Sequence, residues 1–190
     1  MKNLLWVVCL VACNRQPAPP VNSKAVDTIP ADTVAITQNP DAQEPIIYNT
    51  NNTIETGQLK PDQLLAFAES LVGTPYLYGS TDPGKGFDCS GFITYVFNHF
   101  NVAVPRSSAD FTNIKMEIPL SIARPGDLVL FTGTDSTIRK VGHMGIIHKI
   151  NDGEIDFIHS SSGKANGVTI TPLNHYYMTR FVKIIRIFPG

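Results

Sequence analysis

The sequence predicts an α+β fold in which N-terminal helices pack on a central antiparallel β-sheet. Three observations carry this. Helical periodicity is confined to the stretch between Pro61 and Phe100, and after Pro105 the chain breaks into short segments rich in β-branched and aromatic residues. Helices first and strands afterwards, without the strand–helix alternation of a parallel sheet, is the order of an α+β domain. The third observation is compositional: 190 residues with 43% hydrophobic content supply one core, and a formal net charge of -1 offers nothing to a nucleic-acid backbone.

Taken from the start, Met1-Lys2-Asn3 carries one positive residue and is followed by an apolar run from Leu4 to Ala12 that ends at Cys13. A run of about nine or ten residues is too short to span a bilayer, which needs ~20, and reads as an export signal over 1–12. Leu10-Val11-Ala12-Cys13 resembles the lipobox of bacterial lipoproteins, which implies cleavage before Cys13 and lipid on it. Asn14 stands where an inner-membrane retention aspartate would sit, so that resemblance implies the periplasmic face of an outer membrane in the cell envelope. From 13 to 57 the chain is rich in Pro, Asn, Thr, Gln and Asp with no apolar periodicity, the composition of a disordered tether. Such a coil spans roughly 35–40 Å on average. The domain proper is expected over 58–190, as a monomer.

Pro61 suits a first helical turn, Asp62, Leu64, Leu65, Ala68, Leu71 and Val72 make one helical face, and Gly73 stops it. The stretch 74–86 is dense in helix breakers and reads as a surface loop. Asp88 can cap a second helix over 89–100 whose face holds Phe92, Ile93, Val96, Phe97 and Phe100. Strands are expected at 127–131, 143–150, 154–159, 168–171 and 181–187.

Cys89 is the cysteine that the leader does not account for, and it sits at the first turn of a helix, where the macrodipole favours thiolate. A cysteine nucleophile needs a base, and the base needs a polar group to orient it. Asn151-Asp152-Gly153 suits a three-residue hairpin loop, which sets Ile147 opposite Phe157 and Gly145 opposite His159. His143, Gly145, Ile147, Phe157 and His159 then share one face, and His148 points the other way. A two-residue loop would separate the two histidines. Cys89, His143 and His159 thus fit the roles of nucleophile, base and orienting group, and Gly142 and Gly145 leave room for a substrate. His99, His148 and His175 read as structural. A zinc site is disfavoured, because no Cys-x-x-Cys or His-x-x-x-His spacing supplies four ligands, and no cofactor is implied.

Between Leu59 and Pro189 the chain resembles the NlpC family of papain-like cell-wall cysteine peptidases. The resemblance is carried by Tyr76 with Gly79-Ser80, Asp88-Cys89-Ser90-Gly91, Pro105-Arg106-Ser107, Pro125-Gly126-Asp127-Leu128, Gly142-His143-Met144-Gly145 and Ile158-His159-Ser160, in that order. It implies a papain-like domain with a Cys89–His143–His159 triad acting through an acyl-enzyme on peptidoglycan peptides. By the same resemblance Tyr76 assists the oxyanion site, Asp88 and Ser90 grip the substrate's polar groups, and Arg106 and Ser107 lie at the cleft rim. The substrate bond stays open at this point: a cross-link between stem peptides, the γ-D-glutamyl-diamino acid bond within a stem, or an amide or acyl transfer on the same fold. A non-catalytic wall-binding module is the remaining rival.

Overall fold

The structure, a computed structural model, describes residues 52–188 together with the backbone of two short segments before them. Those segments, β1 (Ile36–Thr37) and β2 (Ile46–Ile47), form an antiparallel pair inside the expected tether. The leader and Cys13 lie outside the described residues. The packed chain begins upstream of the expected seam at 57/58: the Asn52 carbonyl accepts the Lys115 N–H at 2.8 Å, and Ile54 and Leu59 pack on the core. Among the described residues no helix is long and apolar enough to cross a membrane.

Helix α1 (Pro61–Ser70) starts with proline at its first turn, and the Gln63 side chain turns back to accept the Lys60 N–H. It buries Leu64, Leu65 and Ala68, whereas Val72, expected on the same face, lies past the helix end and is half exposed. The stretch expected as surface loop contains a small hairpin of β3 (Thr81–Asp82) and β4 (Gly86–Phe87), and Tyr76 bridges to Phe87 while Pro75 bridges to Gly167. Its order comes from partners distant in sequence. Helix α2 (Cys89–His99) begins at the expected residue, capped by the Asp88 carboxylate, which accepts the Gly91 N–H at 2.6 Å. Gly91 is required there, since a Cβ would sit 2.0 Å from the Ser80 carbonyl oxygen.

The main sheet comprises β5 (Glu117–Ile118), β6 (Leu128–Thr132), β7 (Val141–Asn151), β8 (Glu154–Ser161), β9 (Gly167–Pro172) and, after the short helix α3 (His175–Arg180), β10 (Phe181–Ile185). All pairings are antiparallel, in the order β5-β10-β6-β7-β8-β9. One face, with Leu128, Leu130, Met144, Ile146 and Ile158, packs on α1 and α2. The opposite face, with Val129, Phe131, Ile147, Phe157 and Ile184, packs on Tyr177 of α3. Neither β5 nor α3 is among the elements expected from periodicity, being two and six residues long.

The β7–β8 hairpin differs from expectation in a self-correcting way. Asn151 pairs with Glu154, so the turn has two residues, Asp152 and Gly153, both at positive φ (49° and 84°), as a type I′ turn requires. Such a turn shifts the register by one. A bulge at His148 shifts it back, because Lys149 pairs with Asp156 but Ile147 pairs with Phe157. The histidines therefore stay on one face despite the two-residue loop. His148 turns toward α1 and meets Glu69 at 2.5 Å.

Candidate functional site

Four segments converge on one end of the sheet. The cap of α2 places Cys89 so that its Sγ lies 3.9 Å from the carbonyl oxygen of Gly142, the residue before His143. Gly142 is itself a bulge: Phe131 pairs with His143 while the next residue, Thr132, pairs with Val141. On the sheet surface His143 Nε2 meets His159 Nδ1 at 2.8 Å, and His159 Nε2 meets Thr171 Oγ1 at 2.9 Å. The rings of the two histidines stand edge to face, 4.9 Å apart, at 77°.

These contacts are mutually consistent in one set of tautomers. If His143 carries its proton on Nε2, it donates to His159 Nδ1, and His159 in turn donates from Nε2 to Thr171. That leaves His143 Nδ1 as the nitrogen not engaged by His159. Burial drives the ring ionisation. His143 is held well below the ordinary 6.5 by desolvation, then by His159 and Arg180, and His159 is brought to about 3 by desolvation and then Arg180. Both imidazoles are neutral at neutral pH.

The thiol departs from the sequence-based expectation of a helix-start thiolate. Burial, followed by the Asp88 carboxylate, pushes Cys89 above its ordinary value, and the backbone N–H groups of Ser90 and Cys89 with Arg106 offset this only in part. The cause lies in the cap: the carboxylate that fixes the helix start also repels a charge beside it. The resting site therefore holds a thiol and a neutral imidazole.

Tyr76 is anchored by its N–H to the Asn166 carbonyl at 3.0 Å and by its bridge to Phe87. Its hydroxyl is raised above the ordinary 10.0 by burial first and then by Cys89, Asp88 and Tyr78, while a hydrogen bond with Ser162 acts the other way. It thus belongs to the same electrostatic neighbourhood as the thiol.

Asp88, Ser90 and Arg106 are turned on one another. Arg106 donates to both Asp88 oxygens, at 3.1 and 2.8 Å, and to Ser90 Oγ at 3.1 Å, while Asp88 also accepts the Gly79 and Gly91 N–H groups. Asp88 and Ser90 are buried, so this geometry is that of a brace on the helix start. Ser107 is exposed, and its hydroxyl accepts the Ala109 N–H. The glycines also differ from expectation. A Cβ on Gly145 would lie 2.6 Å from the Phe157 ring and 3.1 Å from His159 Cβ, and one on Gly142 would lie 2.9 Å from Gly133. Their missing side chains admit these protein neighbours.

Sequence reasoning did not single out Thr171, Tyr177, Arg180 or Ser162. Thr171 could have been found, since the alternation of β9 opposite His159 leaves few polar residues able to reach it. Arg180 carried no local signal.

The model of the NlpC/P60 family matches residues 73–186. The chain is 30% identical over 176 residues to the probable endopeptidase NlpC of Escherichia coli, an alignment covering 92% of this chain and 89% of that protein. It is 42% identical over 121 residues to the probable peptidoglycan endopeptidase LytE of Bacillus subtilis, covering 63% of this chain and 32% of that one. A gamma-DL-glutamyl hydrolase of Bacillus subtilis is 34% identical over 122 residues, covering 64% of this chain and 28% of that one. The chain thus spans about a third or less of the length of the two Bacillus proteins. Among solved structures, an NlpC/P60 family protein from Bacillus cereus superposes with a TM-score of 0.61 at 27% identity, covering 76% of this chain and 45% of that one.

Proposed function

The chain belongs to the NlpC/P60 family, and on that premise we propose that it is a cysteine-type peptidoglycan endopeptidase that opens cross-links between stem peptides. The observation that carries the mechanism is that the Cys89 thiol approaches the carbonyl of Gly142, the residue before His143, while His143 is linked to His159 and His159 to Thr171. As Cys89 Sγ attacks the scissile carbonyl carbon, its proton passes to His143 Nδ1, and the negative charge moves onto the carbonyl oxygen. The Cys89 backbone N–H and the Tyr76 hydroxyl are the donors that stabilise that oxyanion. Collapse breaks the C–N bond as His143 returns its proton to the leaving amine. Water then attacks the thioester, with His143 again taking a proton, and Cys89 leaves as thiol. Throughout, His159 holds the His143 ring in its reactive tautomer, and the Asp88–Ser90–Arg106 brace holds the helix start.

Endopeptidase cleavage is supported by the near full-length alignment with the probable endopeptidase NlpC of Escherichia coli, and the bond opened is a matter for product analysis. Incubating the purified chain with cross-linked muropeptide dimers and weighing the products decides it. Monomers with intact stems are expected. Shortened stems with surviving cross-links would overturn the bond choice in favour of γ-D-glutamyl cleavage and leave the cysteine chemistry standing.

The same reading includes envelope location through lipid on Cys13, supported by the Leu10-Val11-Ala12-Cys13 pattern. Several acyl chains anchor firmly where one binds marginally. Mass spectrometry of the mature protein is expected to find a lipidated Cys13 at the N-terminus, and an unmodified cysteine there would remove the anchor.

A further inference from the structure

One buried charge has no part in the catalytic steps. Arg180, at the end of α3, is 8% exposed, and none of the ion pairs among the described residues includes it. Its guanidinium is held by neutral acceptors instead: Nε donates to the Gly133 carbonyl at 2.9 Å, Nη2 to the Thr132 carbonyl at 2.9 Å, and Nη1 to the Tyr176 hydroxyl at 2.8 Å. These bonds engage each of its three nitrogens, three of its five N–H donors, but leave its charge uncancelled, an expensive arrangement for a buried cation.

Two geometric links join it to the site. The first runs through the backbone. Thr132 and Gly133 lie against the Gly142 bulge, where Gly133 occupies the space a Gly142 side chain would need, and the Gly142 carbonyl is the atom that Cys89 Sγ approaches. The second runs through the rings. The guanidinium lies 5.1 Å from the Tyr176 ring centre and 5.8 Å from that of Tyr177, and the Tyr177 ring lies 5.6 Å from His159 and 6.3 Å from His143.

We propose that Arg180 is a positioning residue: it clamps Thr132 and Gly133 against the Gly142 bulge, whose carbonyl Cys89 Sγ approaches, and it sets an uncancelled positive charge behind Tyr177 and the two histidine rings. The inference rests on the assignment of Cys89 and His143 as nucleophile and base. The groups that meet the two rings are Phe131 of β6, Phe157 of β8, Thr171 of β9 and Tyr177 of α3, with Arg180 of α3 acting on both by charge. No carboxylate acts on either ring among the described residues, and Asp88 is tied to Arg106. The charge of Arg180 acts on both histidines in the same direction as their burial.

The test follows the imidazole carbons by NMR through a pH titration of the full chain, beside the pH profile of kcat/KM. In the wild type both rings should remain neutral well below the ordinary 6.5. In Arg180→Gln the ring midpoints should rise by about one unit, and the acid limb of turnover should move up with them. Arg180→Lys keeps the charge but cannot hold two carbonyls in one fork, so its midpoints should stay low while kcat falls. Unchanged midpoints in folded Arg180→Gln overturn the proposal. So does a wild-type ring that titrates near 6.5, which decides the matter even if the glutamine variant fails to fold. Absence of any hydrolysis alongside the expected midpoint shifts would remove the peptidase reading while upholding the charge effect of Arg180.

Discussion

Cys89→Ala is expected to abolish cleavage of cross-linked muropeptides, lowering turnover by about 10⁵-fold or more, as losing a nucleophile does when the base and oxyanion donors have nothing to act on. The fold should survive. Asp88, the residue that caps α2, stays in place, and the thiol itself makes only a single long approach to the Gly142 carbonyl. The measurement is product analysis of muropeptide digests, with the thermal midpoint followed beside it. A folded variant that turns over like the wild type would refute the mechanism. Because the resting pair is thiol and neutral imidazole, the thiol must lose its proton during attack, so activity depends on a neutral His143 rather than on a preformed thiolate.

His143→Ala is the second large effect, with turnover expected to fall about 10⁴-fold. His148→Ala should change it by less than about twofold, since His148 faces α1 and Glu69. Equal sensitivity at the two positions would show that the site lies on the other face of the sheet. His159→Ala should cost less in turnover than His143→Ala but more in stability. His159 is fully buried, and its removal strands both His143 Nε2 and Thr171 Oγ1. His159→Asn should recover part of the loss, because an amide oxygen can accept the His143 N–H. The pH profile carries the sign of the ring shifts. With His143 held well below 6.5, its base form persists into acid, so the acid limb of kcat/KM should lie below 6.5. A limb at or above that value contradicts the neutral-imidazole site.

What the sequence determined by itself is what local pattern encodes. The start of α2 was legible because an aspartate cap and its target N–H are three residues apart. The sheet strands were legible because alternation over a few residues assigns faces, and the shared face of His143 and His159 followed from counting along one hairpin. Even there the count succeeded through two errors that cancel. The two-residue Asp152-Gly153 turn and the His148 bulge each move the register by one, and only their sum is visible in the hydrophobic pattern, because that pattern records which face is buried and not where the extra residue sits.

The tertiary structure decided the ionisation states and the supports. Whether Cys89 rests as thiol or thiolate depends on how deeply it is desolvated and on the competition between the Asp88 carboxylate and the helix-start N–H groups, which helix position alone does not resolve. The purpose of Gly142 and Gly145 emerged only once Gly133, Phe157 and His159 were seen against them. Arg180 reaches carbonyls 47 and 48 residues earlier in the chain. Contacts of that kind leave no periodic trace in a sequence, because burial and through-space charge depend on distance in the folded molecule, whereas turn, cap and strand signals depend on separation along the chain.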